Sequence, residues 1–225
     1  MSINRPYPSD LTERLLAGVS PDARHLIIAG ARSRILRAGE VLFRTGELAE
    51  RLFVLRKGRV QFSRQSRGGQ EIVMGILGPG DVFGIGSILT QRVQYLGTAE
   101  SLDSGEVLVW TRETILALND AYPQLSGNAL EVALRYAAEF ADRHERLVTV
   151  TAEERLSGAL SRLGVRAGVR TPSGIEIRIK NEQLASLADV SPFTASRLLK
   201  RWERAGVIRK GRGVVRIVCP EKLIA

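Results

Sequence analysis

Cysteine is nearly absent from this chain of 225 residues: Cys219 is alone. One thiol closes no intrachain disulfide and cannot supply the cysteine sets that hold zinc or iron–sulfur clusters, so oxygen sensing through such a cluster is not expected. Histidine is as scarce, with only His25 and His144, far apart in sequence. With no nucleophile elbow and no zinc signature, acyl transfer and metal hydrolysis lack an apparatus, and the expectation is a protein that is not an enzyme and holds no metal. Gly78-Pro-Gly-Asp-Val-Phe-Gly84 resembles a phosphate-binding glycine loop only superficially. Its spacing is neither GxGxxG nor GxxxxGK[ST], and a β-turn between strands is the better reading. No apolar run approaches the roughly 18 residues a membrane span needs, and the opening MSINRPYPSDLTERLL lacks the apolar stretch of a signal peptide. These absences predict a cytoplasmic protein with no membrane partner.

What is abundant is positive charge, and it is unevenly placed. Lys and Arg number 33 against 24 Asp and Glu, a net of +9. From Ala152 onward there are 15 basic and 7 acidic residues, a net of +8, whereas Met1 to Thr151 carries 18 and 17, a net of +1. A basic module attached to a near-neutral one points to a polyanion partner whose counterions Lys and Arg displace.

Within the basic third, NEQLASLADVSPFTASRLLKRWERAGVI (Asn181 to Ile208) reads as two short amphipathic helices around a tight break. Asn181 is an expected N-cap, and Leu184, Leu187 and Ala188 recur on one face. Asp189 and Val190 break the pattern. Ser191 then caps a second helix whose first position, Pro192, lacks the amide that would be unsatisfied there. Ala195, Leu198, Leu199, Trp202 and Ala205 keep helical spacing, leaving Thr194, Ser196, Arg197, Lys200, Arg201 and Arg204 on the polar side. Such a pair is the pattern of a helix-turn-helix reading double-stranded DNA. Gly206 to Val218 follows as two apolar strands around the basic turn Arg209-Lys210-Gly211-Arg212-Gly213, a hairpin in the place of a wing, and TPSGIEIRIK (Thr171 to Lys180) supplies a strand to pair with it.

The first half is punctuated by glycine. Val41 to Phe43, Leu52 to Leu55, Val60 to Phe62, Ile72 to Ile76 and Val107 to Trp110 are short apolar runs between turn residues, which predicts a compact antiparallel roll or barrel rather than alternating strand and helix. A helix is expected from Thr111 to Leu118, and the period changes after Pro123. Leu130, Leu134, Ala137, Ala141, His144, Val148 and Thr151 alternate steps of four and three, a seam fit for a second copy of the same helix.

In this order the pieces resemble the CRP/FNR family of bacterial transcription regulators. GEVLFRTGE (Gly39 to Glu47) is similar to the family's early roll motif, FVLRKGRV (Phe53 to Val60) to its next hairpin and LGPGDVFG (Leu77 to Gly84) to the start of its ligand cassette; SPFTASRLLKRWERAGVI is similar to its recognition segment. The resemblance implies an α+β fold. An N-terminal antiparallel β-roll of the double-stranded β-helix or jelly-roll type, with an N-terminal helix, spans 1–118; a dimerisation helix spans 119–151; and a winged helix-turn-helix spans 152–225. It also implies a homodimer on a pseudo-palindromic promoter site, with RNA polymerase as a further partner; the alternative is a cyclic-nucleotide-fold sensor module acting through protein or membrane contacts rather than DNA.

The departures from the family pattern shape the remaining expectations. Relatives that bind cyclic AMP hold the ribose with a Glu after the cassette glycine and the phosphate with an Arg-Ser pair about ten residues on; here those positions are Ile85 and Tyr95-Leu96, after Gly84. A phosphate beside Tyr and Leu would be unpaired, so cyclic AMP is not expected to bind in the usual way. Ile85, Ile88, Leu89, Val93 and Leu96 would make the degenerate pocket, which also includes Thr98, apolar. That suits a roll filled by its own side chains, the favoured reading with no cofactor, or alternatively haem or another apolar effector, for which His25 and His144 are weak ligand candidates. In the recognition helix, FNR-like members face the bases with Glu, Ser and Arg, and the aligned residues here are Phe193, Ser196 and Arg197. Arg197 suits guanine O6 and N7, Ser196 or Thr194 a base or phosphate, and Phe193 a thymine methyl. Ser191, Lys200, Arg201, Lys210 and Arg212 are expected phosphate contacts, which position without specifying.

Overall fold

The computed structural model describes residues 14–69 and 71–223, so residues 1–13 of the first expected segment lie outside the described residues. Among the described residues, 14–69, 71 and 77–140 cluster as one compact unit, and 72–76 with 141–223 as another.

The first unit carries the roll apart from residues 72–76 of one strand, which cluster with the second. Helix α1 (Pro21–Ala29) starts at Ser20, whose hydroxyl accepts from the Ala23 amide at 3.3 Å. The strands are β1 (Arg32–Leu36), β2 (Val41–Phe43), β3 (Arg51–Lys57), β4 (Val60–Gln65), β5 (Glu71–Leu77), β6 (Val82–Phe83), β7 (Thr98–Ser101) and β8 (Gly105–Thr111). They form two four-stranded sheets ordered β1-β8-β3-β6 and β2-β7-β4-β5, with antiparallel pairing. Each apolar run read from the sequence is one of these strands.

Side chains in a strand alternate faces, and β3 uses both. Leu52 and Val54 face an apolar cluster with Ile27 of α1, Trp110 of β8, Ile115 of α2 (Arg112–Ala121) and Leu125, Ala129 and Val132 of α3 (Gln124–Thr149). Phe53 and Leu55 face the other cluster, with Phe43, Val60 and Ala99 of the second sheet. The strand is continuously apolar because helices cover one face and a sheet the other. The buried Trp110 indole N–H has its partner in the Ile27 carbonyl at 2.7 Å.

The glycine loop is a turn tied to β3. The Gly78 amide donates to Asp81 Oδ2 at 2.7 Å and the Gly80 amide to the Leu55 carbonyl at 2.7 Å, so these N–H groups are spent on the fold rather than aimed at a phosphate.

Helix α3 ends at Thr149, two residues before the expected seam does. Thr151 instead caps α4 (Ala152–Ala167): its hydroxyl accepts from the Glu154 amide at 3.3 Å, and the Glu154 carboxylate accepts from the Thr151 amide at 2.7 Å. This reciprocal box is why the chain breaks there, and its hydrogen bonds hold the Glu154 carboxyl below the ordinary glutamate range.

The second unit continues with β9 (Val169–Thr171), β10 (Gly174–Arg178), α5 (Asn181–Leu187), α6 (Pro192–Arg204), β11 (Ile208–Gly211), β12 (Val214–Ile217) and α7 (Pro220–Leu223). The wing strands pair with each other and β12 pairs with β10, in the order β11-β12-β10-β9. The expected N-cap at Asn181 shifts by one residue: Lys180 occupies the cap, its amide donating to Gln183 Oε1 at 3.0 Å, and Asn181 is already helical.

Candidate nucleic-acid interface

The second helix of the pair, α6, owes its position to both its ends and its buried face. Ser191 Oγ accepts from the Thr194 amide at 3.0 Å and Pro192 takes the first turn, as the sequence pattern requires. Asp189, at φ 52°, is the only non-glycine with positive φ among the described residues and reverses the chain between α5 and α6. Ala195, Leu198, Leu199 and Trp202 are buried, each Leu worth about 1.5–3 kcal/mol against exposure. Burying that stripe turns the opposite one outward.

The outward stripe carries Phe193, Ser196, Arg197 and Lys200, spaced by three and four residues as a single helix face requires. Phe193 is 79% exposed. Arg197 and Lys200 are exposed and Ser196 is half-buried. Thr194 is half-buried, with its hydroxyl 2.9 Å from Ser191 Oγ, so the cap shares the group expected to face DNA. Arg201 is exposed but ion-paired to Glu153 of α4, and Glu153 also accepts from the Trp202 indole at 3.1 Å. That acidic anchor was not read from the sequence; forty-nine positions separate it from Trp202. At the wing, Arg212 is exposed in the turn and Lys210 is half-buried, its amide bound to Glu203 Oε1 at 3.0 Å. A cleft of about 320 Å³ lies between the wing and the start of α5, lined among others by Lys180, Asn181, Lys210 and Gly213. An exposed stripe with Arg197 and Lys200, and a wing turn with Arg212, can take the phosphates and base edges of a duplex.

The residues expected to line an effector pocket do not converge. Ile85 and Ile88, in a 3-10 turn (Ile85–Ile88), pack on the helical side of the first sheet with Val82 and Leu108. Val93 and Tyr95 belong to the cluster between the sheets. Leu89 and Leu96 are 47% and 77% exposed. Of the pair expected to replace the phosphate-holding residues, Tyr95 enters the roll and Leu96 does not. Its ring stacks on Phe43 at 3.8 Å, while its hydroxyl accepts from the Arg51 amide and donates to the Arg51 carbonyl, both at 3.0 Å. Burial raises the phenol's pKa above its ordinary value, against the lowering influence of the hydrogen bond from Arg51. Thr98 is turned to another neighbour, its hydroxyl accepting from the Thr45 amide at 3.1 Å. Gly84 precedes the 3-10 turn at φ 77°, and a Cβ there would lie 2.4 Å from the Arg51 carbonyl oxygen.

Arg112 is a residue the sequence reading missed. It is buried, 7% exposed, and donates to the carbonyls of Ser87 at 2.9 Å and Thr90 at 2.8 Å, holding the cassette turn to α2. As the first residue of a helix it has no sequence signal for burial. His25 is exposed with Nδ1 2.9 Å from the Pro21 carbonyl, and His144 is exposed on α3. Leu130, Leu134, Ala137, Ala141 and Val148 of the expected seam are exposed as well. No described helix is long and apolar enough to cross a membrane.

Comparison with known proteins agrees with this architecture. The family described as the cyclic nucleotide-binding domain matches residues 33–122, and the Crp-like helix-turn-helix domain matches 154–225. The chain is 30% identical over 203 residues to the cyclic AMP receptor protein of Thermus thermophilus, covering 90% of this chain and 91% of that one. It is 26% identical over 189 residues to the transcriptional activator protein FnrA of Stutzerimonas stutzeri, covering 83% and 77%. Among solved structures, the c-di-GMP responsive regulator CLP of Xanthomonas campestris shares the fold with a TM-score of 0.75 at 18% identity, over 88% of this chain and 99% of that one. The catabolite activator protein of Thermus thermophilus aligns with a TM-score of 0.54 at 30% identity, over 93% and 96%. With a roll, a long helix and a winged helix-turn-helix in the family's order, the chain belongs to the CRP/FNR family of transcription regulators.

Proposed function

We propose that the chain acts as a homodimer on a pseudo-palindromic promoter site, that it takes no cyclic AMP in the usual way, and that its roll is held by its own side chains. The observation that carries the DNA reading is the outward stripe of α6, where Phe193 and Arg197 are exposed. Arg197 reads guanine, Phe193 contacts a thymine methyl, Ser196 and Thr194 serve a base or phosphate, and Ser191, Lys200, Arg201, Lys210 and Arg212 hold phosphates. Arg201 does so from its pairing with Glu153.

Dimerisation through α3 is supported by its exposed apolar face: Leu130, Leu134 and Val148 are 59%, 60% and 79% exposed. A helix-turn-helix pair on half-sites one DNA turn apart explains that face. Such a regulator works on the bacterial chromosome in the cytoplasm, with RNA polymerase as its further partner and no catalysis of its own.

The relative from Thermus thermophilus is named for cyclic AMP. Here Ile85 and Tyr95-Leu96 replace the groups that hold ribose and phosphate in such relatives, and the Tyr95 ring is part of the core. An anion brought to that place would be desolvated without a guanidinium to pair with. Haem or another apolar effector is the second reading of the cassette.

Selection of bound DNA by the purified protein, with and without cyclic AMP, tests the proposal together with titration calorimetry. A two-fold symmetric site recovered equally under both conditions is expected. Saturable micromolar cyclic AMP binding, or a site without symmetry, overturns the corresponding part, and a stoichiometric Soret band after haem reconstitution overturns the self-held roll.

A further inference from the structure

The side chain of Arg143, on α3, spends its guanidinium on the turn of the helix-turn-helix. Nε and Nη2 donate to the two Asp189 carboxylate oxygens at 2.6 and 2.7 Å. Nη2 also donates to the Ser186 carbonyl at 2.7 Å, and Nη1 lies 3.2 and 3.1 Å from the carbonyls of Val73 and Met74, in the segment of β5 that clusters with this unit. The Arg143 and Asp189 side chains are 16% and 24% exposed. Ser186 is held a second time, its hydroxyl accepting from the Val73 amide at 2.8 Å. A forked pair between planar guanidinium and carboxylate fixes orientation as well as distance, which a single ammonium cannot do.

Asp189 is the residue at which α5 turns into α6, and Arg143 stands next to His144 of the exposed α3 seam. The apolar core beneath the helix pair, with Leu160, Ile177, Leu184 and Leu199 fully buried, does not include Arg143. That core folds the helix pair; Arg155 of α4 donates to the carbonyls of Ala188 at 3.2 Å and Asp189 at 3.3 Å, and Arg143 adds the tie from α3 to the Asp189 side chain. Beyond the clamp, α3 passes to α4 through only Val150 and Thr151.

We propose that Arg143 is a positioning residue: by clamping Asp189 it fixes α6 to the pairing helix and so sets the half-site spacing the dimer accepts. The inference rests on the dimeric reading above. If the seam sets the separation of the two α3 helices, the clamp converts it into the separation of the two α6 helices, which must match one DNA turn. The partner is the second half-site, not a new ligand.

The test uses the full-length protein and a DNA library in which two copies of its selected half-site are separated by spacers of graded length. Wild type enriches one spacing. Arg143→Gln flattens that profile while affinity for an isolated half-site is kept, and Arg143→Lys does not restore it, because the fork is lost. Asp189→Asn, which tolerates the left-handed backbone, flattens it from the other side of the pair. A profile unchanged in Arg143→Gln and in Asp189→Asn overturns the inference while leaving dimeric reading intact. A wild type with no preferred spacing overturns dimeric reading, and the inference with it. Should Arg143→Gln melt below the assay temperature, Asp189→Asn decides with the same two outcomes.

Discussion

Tyr95→Phe removes one hydroxyl from the roll and leaves the ring. In the folded chain that hydroxyl joins the Arg51 amide and carbonyl, both at 3.0 Å, from a side chain that is 8% exposed. Two neutral hydrogen bonds at about 0.5–1.5 kcal/mol each put the loss near 1–3 kcal/mol. For a chain of this size that corresponds to a melting temperature lower by about 2–12 °C. Tyr95→Ala also empties the space stacked on Phe43 and should cost about 3–5 kcal/mol, as other aromatic truncations do. Urea titrations at neutral pH measure both. The phenol supplies a second, independent signature. Burial raises its pKa above 10.0, so as pH rises through that value the unfolded chain gives up its proton first and the folded state loses relative stability. The Phe variant lacks this titration, and its deficit against wild type should shrink above pH 10. A neutral-pH difference under about 0.5 kcal/mol, with parallel alkaline curves, would refute the idea that Tyr95 is tethered where relatives hold a ligand.

Gly84→Ala forces a side chain into left-handed backbone with its Cβ 2.4 Å from the Arg51 carbonyl oxygen; we expect a loss of at least about 1–3 kcal/mol in the same urea assay, and an unchanged midpoint would show that the cassette turn yields. The Glu154 carboxyl, held below its ordinary range by Thr151, contributes stability that is present above that range and lost as pH falls through its lowered value. Glu154→Gln should therefore flatten the acid limb of a thermal-melt series between weakly acid pH and the lowered titration; identical limbs would deny the capping box that role. Arg197→Ala should cost about 1–3 kcal/mol of DNA binding and relax one base pair of the selected site, read by competition against single-base variants; undiminished selectivity removes it as a base reader. Leu134→Glu, at a position 60% exposed, should shift sedimentation toward the monomer without lowering the roll's melting temperature, and an unchanged sedimentation profile would place the dimer contact elsewhere.

Local patterns were the legible part. Ser191-Pro192 marks the start of α6 because capping is chemistry between neighbours, and Val60 to Phe62 reads as a strand because glycine and polar turns bound it. The Thr151…Glu154 box was legible on the same grounds; the seam's regular spacing masked it and carried the expected helix two residues too far. The effector pocket failed for a different reason. The resemblance places Ile85, Ile88, Leu89 and Leu96 in one cassette, but Ile85 and Ile88 pack on the helical side of the first sheet while Leu89 and Leu96 are exposed, and Tyr95 packs with Val93 between the sheets.

By itself the sequence determined the order of roll, long helix and winged helix-turn-helix, the burial of Ala195, Leu198, Leu199 and Trp202 though not of Ala205, which is exposed at the end of α6, and the basic charge gathered after Ala152, since period and charge are carried by residues close together along the chain. Tertiary structure alone decided that Tyr95 closes on Arg51, that Arg112 holds the cassette from beneath, that Glu153 engages Arg201, and that Arg143 grips Asp189. Each of those contacts joins residues more than twenty positions apart, and a guanidinium or a phenol has the same composition whether it meets water or a partner. The fold chooses between the two by where it places the group, and no local pattern records that choice.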